Sequence, residues 1–118
     1  MLDADDVRRI ALSLPETVER ELWQIPTFHV AGKMFVTVPD DGTSFAVRYP
    51  KHERGELIAA EPEKFWVPPH EAHSSWVRAR LAALEDADEL YDIVVDSWTQ
   101  AAPPRLVEGF GGKRGAKG

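Results

Sequence analysis

The segment Pro26–Pro50 contains the densest β-strand pattern of the chain, PTFHVAGKMFVTVPDDGTSFAVRYP. Three short runs within it are rich in β-branched and aromatic residues: 27–30, 34–38 and 44–49. Turn-forming residues separate these runs, Ala31-Gly32-Lys33 first and then Pro39-Asp40-Asp41-Gly42. Two turns between three strands predict an antiparallel meander. Because three strands with one apolar side are not stable bare in water, we expect helices to cover that side.

Helical patterns flank the meander. They occupy residues 3–13, 52–60 and 86–102, and the last is the strongest of the three. Asp3 and Asp86 are suited to cap the first and last helices, and Pro15 and Pro103 stop them. The chain therefore carries helices before and after its central strands.

Two further strand patterns follow the second helix, at Phe65–Val67 and Trp76–Leu81. The second of these alternates, with Val77, Ala79 and Leu81 facing one way and Trp76, Arg78 and Arg80 facing the other. Val18–Gln24 is compatible with a helical turn or with an irregular edge strand, and in either case we expect Trp23 to anchor it.

The order of elements predicts an α+β fold of two layers, in which helices cover one face of an antiparallel sheet. Its elements follow the order α-β(3)-α-β(2)-α. A single domain is expected over residues 1–108. Residues 109–118 are rich in glycine and basic, which predicts a flexible tail.

Composition narrows the class of protein. The 118 residues suffice for one core, and the chain contains no cysteine, which excludes disulfides and thiolate metal sites and suits a reducing cytoplasm. The N-terminus lacks the pattern of a signal peptide, and we expect no membrane span. The net charge of -6 argues against a general nucleic-acid binder, which would normally be basic.

Four short segments carry a resemblance to a known family: Phe28–Phe35, Phe45–Arg48, Ser74–Val77 and, in the last helix, Asp88–Trp98 with its Ser97-Trp98 pair. They resemble the MmcQ/YjbR family of small bacterial proteins. Arg48 stands where that family usually has lysine, and Trp98 where it often has tyrosine. The resemblance implies the α-β(3)-α-β(2)-α fold, similar to secretion chaperones and frataxin-like proteins. It also implies a DNA-binding label, and no catalytic residue, metal or cofactor.

Positive charge is concentrated on the side of the strands that faces away from the core. Arg48, Arg78 and Arg80 are predicted to lie there, with Lys33 in a neighbouring turn and Trp76 beside them. Guanidinium groups next to an aromatic ring suit phosphate contacts and base stacking. We therefore predict a nucleic-acid or partner-binding face, to which three residues could contribute as auxiliaries: His29, Lys113 and Arg114.

Two other interpretations fit the same residues. The arginines can pair with Glu71, Glu63 or Asp40 on an ordinary solvated sheet face. The face can also bind a protein partner or a second copy of the chain, because tryptophan and arginine are favoured interface anchors.

Catalytic patterns are weak. His70-Glu71-Ala72-His73 lacks the i, i+4 spacing of helical zinc ligands, so no metal is predicted. No nucleophile elbow surrounds any serine. A pocket near Trp66, His70 and Trp76 remains as the alternative for a small-molecule-binding protein or an enzyme.

Overall fold

The computed structural model describes the backbone of residues 2–39 and 41–115 and, within these, the side chains up to residue 110. The helices are α1 (Ala4–Leu12), α2 (Arg54–Ala60), α3 (Ala87–Ala101) and α4 (Pro104–Gly115). The strands are β1 (Thr17–Leu22), β2 (Ile25–Val30), β3 (Lys33–Thr37), β4 (Ser44–Arg48), β5 (Phe65–Trp66) and β6 (Trp76–Arg80). Short 3-10 turns lie at Pro69–Glu71 and Leu81–Ala83.

The strands form one antiparallel sheet in the order β1-β2-β3-β4-β6-β5. Its inner face supplies the aromatic core residues Phe28, Phe35 and Phe45, and α3 covers them with Leu90, Val94 and Trp98, all fully buried. Asp3 and Asp86 cap α1 and α3 through their side chains, as predicted. The predicted α+β fold, an antiparallel sheet with helices on one face, is confirmed.

The meander has the predicted turns. Ala31 and Gly32 have φ angles of 51° and 81°, as a two-residue hairpin turn requires, and Gly42 has a φ of 69° in the second turn. Asp40, which was expected to help form that turn, lies outside the described residues. A β-bulge interrupts the pairing of β2 with β3, because Phe28 pairs with Val36 and His29 with Met34, which leaves Phe35 as the extra residue.

Residues 17–22 form an edge strand, which decides between the two alternatives that the sequence left open. The sheet therefore contains one strand more than the predicted order. The expectation that Trp23 anchors this segment is wrong, because its side chain is 73% exposed. Trp23 and Gln24 form a two-residue turn with φ angles of 54° and 65°, and the residues of such a turn project beyond the end of the sheet.

The chain after Pro103 forms α4 where the sequence predicted a flexible tail from Gly109. Leu106, Val107 and Phe110 pack against the core, and the ring of Phe110 lies 5.1 Å from that of Trp98. Proline is tolerated in the first turn of a helix, so Pro104 begins α4 and does not prevent it. Residues 116–118, the end of the predicted tail, lie outside the described residues.

A buried hydroxyl group joins α3 to the sheet where β3 and β4 diverge. These strands have two registered pairs, Val36 with Val47 and Thr37 with Ala46. Beyond Val47 the hydroxyl of Ser97 lies between the strands, donating to the carbonyl of Phe35 at 2.6 Å and accepting from the amide of Arg48 at 2.9 Å. The Ser97 hydroxyl therefore takes the place of a direct backbone hydrogen bond between β3 and β4.

We predict that Ser97→Ala lowers the free energy of unfolding by about 2–4 kcal/mol, because a buried carbonyl and a buried amide lose their partner. Urea unfolding of the purified protein measures this. Thr99→Ala is the matched control, since the Thr99 hydroxyl bonds the Val95 carbonyl within its own helix and its loss costs little. A Ser97→Ala variant as stable as the Thr99→Ala variant would contradict the assigned role.

Candidate functional site

The face of the sheet opposite the helices, here called the open face, carries alternate residues of each strand. Pairing places these side chains on it: Val18, Arg20, Leu22, Ile25, Thr27, His29, Met34, Thr37, Ser44, Ala46, Arg48, Trp66, Trp76, Arg78 and Arg80. It therefore brings together four of the five residues predicted to bind, Arg48, Trp76, Arg78 and Arg80.

A shallow groove of about 270 Å³ crosses the middle of the open face. The small residues Thr37 and Ala46 line its centre, with Trp23 toward the β1–β2 turn and Trp76 on β6. Ile25 and Met34 add apolar surface, whereas polar groups come from Glu71, Ser74 and Arg78. An apolar groove with polar groups along one side can take a flat or apolar ligand group.

Two arginines stack on tryptophans. The guanidinium carbon of Arg80 lies 4.2 Å from the centre of the Trp66 ring, and that of Arg48 lies 5.3 Å from the centre of the Trp76 ring. Each is also tied to the backbone: Arg80 donates to the Glu63 carbonyl at 3.0 Å and Arg48 to the Met34 carbonyl at 2.6 Å. Each of these bonds uses one of the five N–H groups of a guanidinium. Both side chains are therefore held in place and keep N–H groups that can donate to a ligand.

Arg78 is engaged differently. It donates through two nitrogens to the two carboxylate oxygens of Glu71, in the loop before β6. Both side chains are about one-quarter exposed. One of the pairings that the solvated-face interpretation requires is therefore present, and Arg78 brings little net charge to the open face.

Lys33 is separate from these arginines. It is exposed at the tip of the β2–β3 hairpin, and its register opposite the buried Val30 places it on the helix-covered side of the sheet. The side chains of Lys113 and Arg114, which were predicted as auxiliaries, lie outside the described residues.

His29 lies on the open face by register but is 8% exposed. Its Nε2 atom is 2.9 Å from the hydroxyl of Thr27, which itself donates to the carbonyl of Arg20. The hydroxyl has one proton, which it donates to the carbonyl, so Nε2 is the donor in the pair with Thr27. Burial lowers the pKa of His29 below its ordinary 6.5, and the charge of Arg20 lowers it further. The structure makes His29 a buried residue of the sheet with little surface for a ligand.

Sequence reasoning missed three residues that shape this face. Arg20 and Trp23 belong to the segment whose strand character was left open, and recognition of β1 would have placed Arg20 on the open face. Arg54 is 7% exposed and donates to the carbonyls of Ala72, Ser74 and Trp76 at 2.5, 2.6 and 2.7 Å. No local pattern around Arg54 indicates these distant acceptors.

No cluster of three or more histidine or acidic side chains that could hold a metal is found in the described part of the chain.

His70 lies at the surface, 74% exposed beside Glu71, and Trp66 is covered by Arg80. The groove includes Trp76 and Trp23 but neither Trp66 nor His70. Nor is any helix among the described residues long and apolar enough to cross a membrane.

A model of the YjbR family matches residues 12–100. The chain belongs to the YjbR family. The resemblance predicted from the sequence is thereby confirmed.

The fold of this YjbR protein is similar to the crystal structure of Deinococcus radiodurans protein DR2400, a DUF419 domain. The TM-score is 0.73 at 19% identity, and the match covers 94% of this chain and 89% of the other. At this identity the likeness shows the fold alone. No match was found among curated proteins.

In this YjbR protein, we predict that Arg54→Met lowers the free energy of unfolding by about 2–4 kcal/mol, because three carbonyls lose a charged donor. Amide hydrogen exchange should also lose protection in the loop of residues 69–76. The control is Arg105→Met, which removes an exposed arginine paired with Glu16 and should leave stability nearly unchanged. Equal effects of the two substitutions would show that the carbonyl bonds do not hold this loop.

We also predict a pH dependence from His29. Its pKa is lower in the folded protein than in the unfolded chain, so the unfolded chain binds more protons and stability falls as the pH drops through about 6.5. One proton limits the slope to about 1.4 kcal/mol per pH unit. His29→Gln should flatten the unfolding free energy between about pH 7.5 and pH 5.5, above the range of ordinary carboxyl groups.

Urea unfolding at a series of pH values measures this slope. His52→Gln is the control, because the side chain of His52 is 83% exposed. If the His52→Gln and His29→Gln variants have the same slope, His29 is not the group that titrates.

Proposed function

We propose that this YjbR protein binds nucleic acid, and single-stranded DNA in particular, through the open face. The observation that carries the proposal is the presence of Arg20, Arg48 and Arg80 on one face of the sheet, together with the exposed ring of Trp23. Glu71 is the one carboxylate that the described residues bring into hydrogen bonds with arginines of this face, and it engages Arg78.

The charge of the molecule is divided between its two sides. The acidic residues of α3, which are Asp88, Glu89, Asp92 and Asp96, belong to the helical layer behind the sheet. Glu19 of β1 also faces that layer, where both its oxygens accept from Arg8. The net charge of -6 therefore does not describe the open face, and an anionic polymer would be steered toward that side.

Stacking of Arg48 and Arg80 on tryptophan prepares them for phosphate groups. A guanidinium held over a ring loses less conformational entropy when it binds than a mobile side chain does. Both retain unused N–H donors that can contact backbone oxygens.

Trp23 supplies the reason to favour a single strand. Its ring is 73% exposed and lines the groove, so an unpaired base can stack on it. Within a duplex, stacking on neighbouring base pairs covers the faces of the bases. A duplex could therefore contact the arginines but could not stack a base on Trp23.

The backbone of the β1–β2 turn supports a functional role for Trp23. Positive φ angles at Trp23 and Gln24 cost free energy for residues with a Cβ atom, and asparagine or glycine would be favoured there. Strain of this kind is concentrated at functional sites.

A protein partner, including a second copy of the chain, is the second candidate. Val18 and Leu22 are 48% and 37% exposed on the edge strand β1, next to Trp23. Exposed apolar residues on a sheet edge are typical of surfaces to which another strand adds.

We place the protein in the cytoplasm, on the ground that its sequence contains no cysteine.

The test is fluorescence anisotropy with a labelled thymidine oligonucleotide of about twelve nucleotides. If three phosphates are neutralised, affinity should fall about ten- to twentyfold between 50 and 200 mM salt. Arg80→Glu should weaken binding at least about tenfold, whereas Arg105→Glu, on α4, should weaken it far less.

Trp23→Asn separates loss of binding from loss of folding. Asparagine tolerates positive φ, so this variant should be at least as stable as the wild type and yet bind the oligonucleotide more weakly, by about 1–3 kcal/mol. No binding at low salt, or full binding by Trp23→Asn and Arg80→Glu, would refute the proposal. Salt-insensitive self-association that Trp23→Asn abolishes, without DNA binding, would favour the second candidate.

A further inference from the structure

A second cavity lies on the helical side of the sheet, between α2 and α3. Its volume is about 290 Å³, and we call it the helical cleft. Val47, Phe65 and Val77 line it from the sheet, each 5% exposed or less, so it reaches the core. Leu57 of α2 and Ile93 of α3 add apolar surface. A cavity of this size and lining can bury a compact apolar group.

The polar groups of the helical cleft are mainly acidic. Asp92 and Asp96 contribute to its lining from successive turns of α3, together with Tyr49. Arg48 also contributes, but its guanidinium lies on the open face, bound to the Met34 carbonyl and stacked on Trp76. Two carboxylates therefore line the cleft, and Oδ2 of Asp96 accepts from the side chain of Gln100 at 3.0 Å.

Tyr49 responds to this negative environment. Burial raises the pKa of its phenol group, and the charges of Asp96, Glu53 and Glu56 raise it further. The field that disfavours a phenolate at this position favours a cation.

We propose that the helical cleft binds a small organic cation, an ammonium group carried on a compact apolar body. The body would lie on Val47, Phe65 and Val77, and the ammonium group would meet the carboxylate of Asp96 at the rim. The rings of Tyr49 and Phe65 add surface to which cations are attracted. This site uses the face of β4 opposite to the one proposed for nucleic acid, so it does not depend on that proposal.

Three probes of similar shape and different charge test the site: 2-phenylethylammonium, 2-phenylethanol and 3-phenylpropionate. Each is titrated into the ¹⁵N-labelled full chain, and amide chemical shifts are followed by NMR. The ammonium probe should shift the amides of residues 47–49, 57 and 92–96 and bind at least about fivefold more tightly than the alcohol. The carboxylate probe should bind more weakly than the alcohol because the acidic rim repels it.

Asp96→Asn should lower the affinity for the ammonium probe about fivefold, to near that of the alcohol, and leave the alcohol unaffected. Asp88→Asn is the matched control, because Asp88 is an exposed residue in the first turn of the same helix. Equal binding of the three probes would overturn the proposal. So would shifts confined to the open face around Trp23 and Trp76, equal effects of the two substitutions, or the absence of any shift at the cleft.

Discussion

The hydroxyl group of Ser97 allows β3 and β4 to separate without leaving buried backbone groups unpaired. It bonds the Phe35 carbonyl on one strand and the Arg48 amide on the other. An unpaired buried amide or carbonyl costs about 1–3 kcal/mol, so a replacement partner for the separated strands stabilises the fold. The same contact ties α3 to Phe35, the extra residue of the bulge between β2 and β3.

The same divergence determines what Arg48 does. The guanidinium of Arg48 donates to the Met34 carbonyl. The backbone carbonyl of Arg48 accepts from the side chain of Gln100 on α3 at 3.2 Å. Arg48 is therefore a structural residue whose side chain also lies on the open face, whereas Arg80 has a single backbone bond and a more exposed position. The alternation of the strands suggests that the three arginines contribute equally to binding. These contacts do not support equal contributions.

Alternation along the sequence was sufficient to predict which residues share a face, because side-chain direction in a strand depends on local backbone geometry. Arg48, Trp76, Arg78 and Arg80 were placed together for that reason. The role of Ser97 was not predictable in this way, because its bonds join strands that lie 49 and 62 residues away in the chain. The carbonyl partners of Arg54 and the exposure of Trp23 were likewise beyond local patterns, since tertiary packing and a strained turn determine them.

Strand β4 supplies both proposed sites. Ala46 lines the groove of the open face, and the guanidinium of Arg48 lies on the same face, stacked on Trp76. Val47 and Tyr49 line the helical cleft. A sheet is one backbone thick, so the positive and the acidic surfaces are separated by this strand alone at its centre. Ser97 holds the end of β4 through the Arg48 amide, directly between Val47 and Tyr49. Arg48 therefore contributes to both surfaces, since it lines the cleft while its guanidinium stacks on Trp76 on the open face.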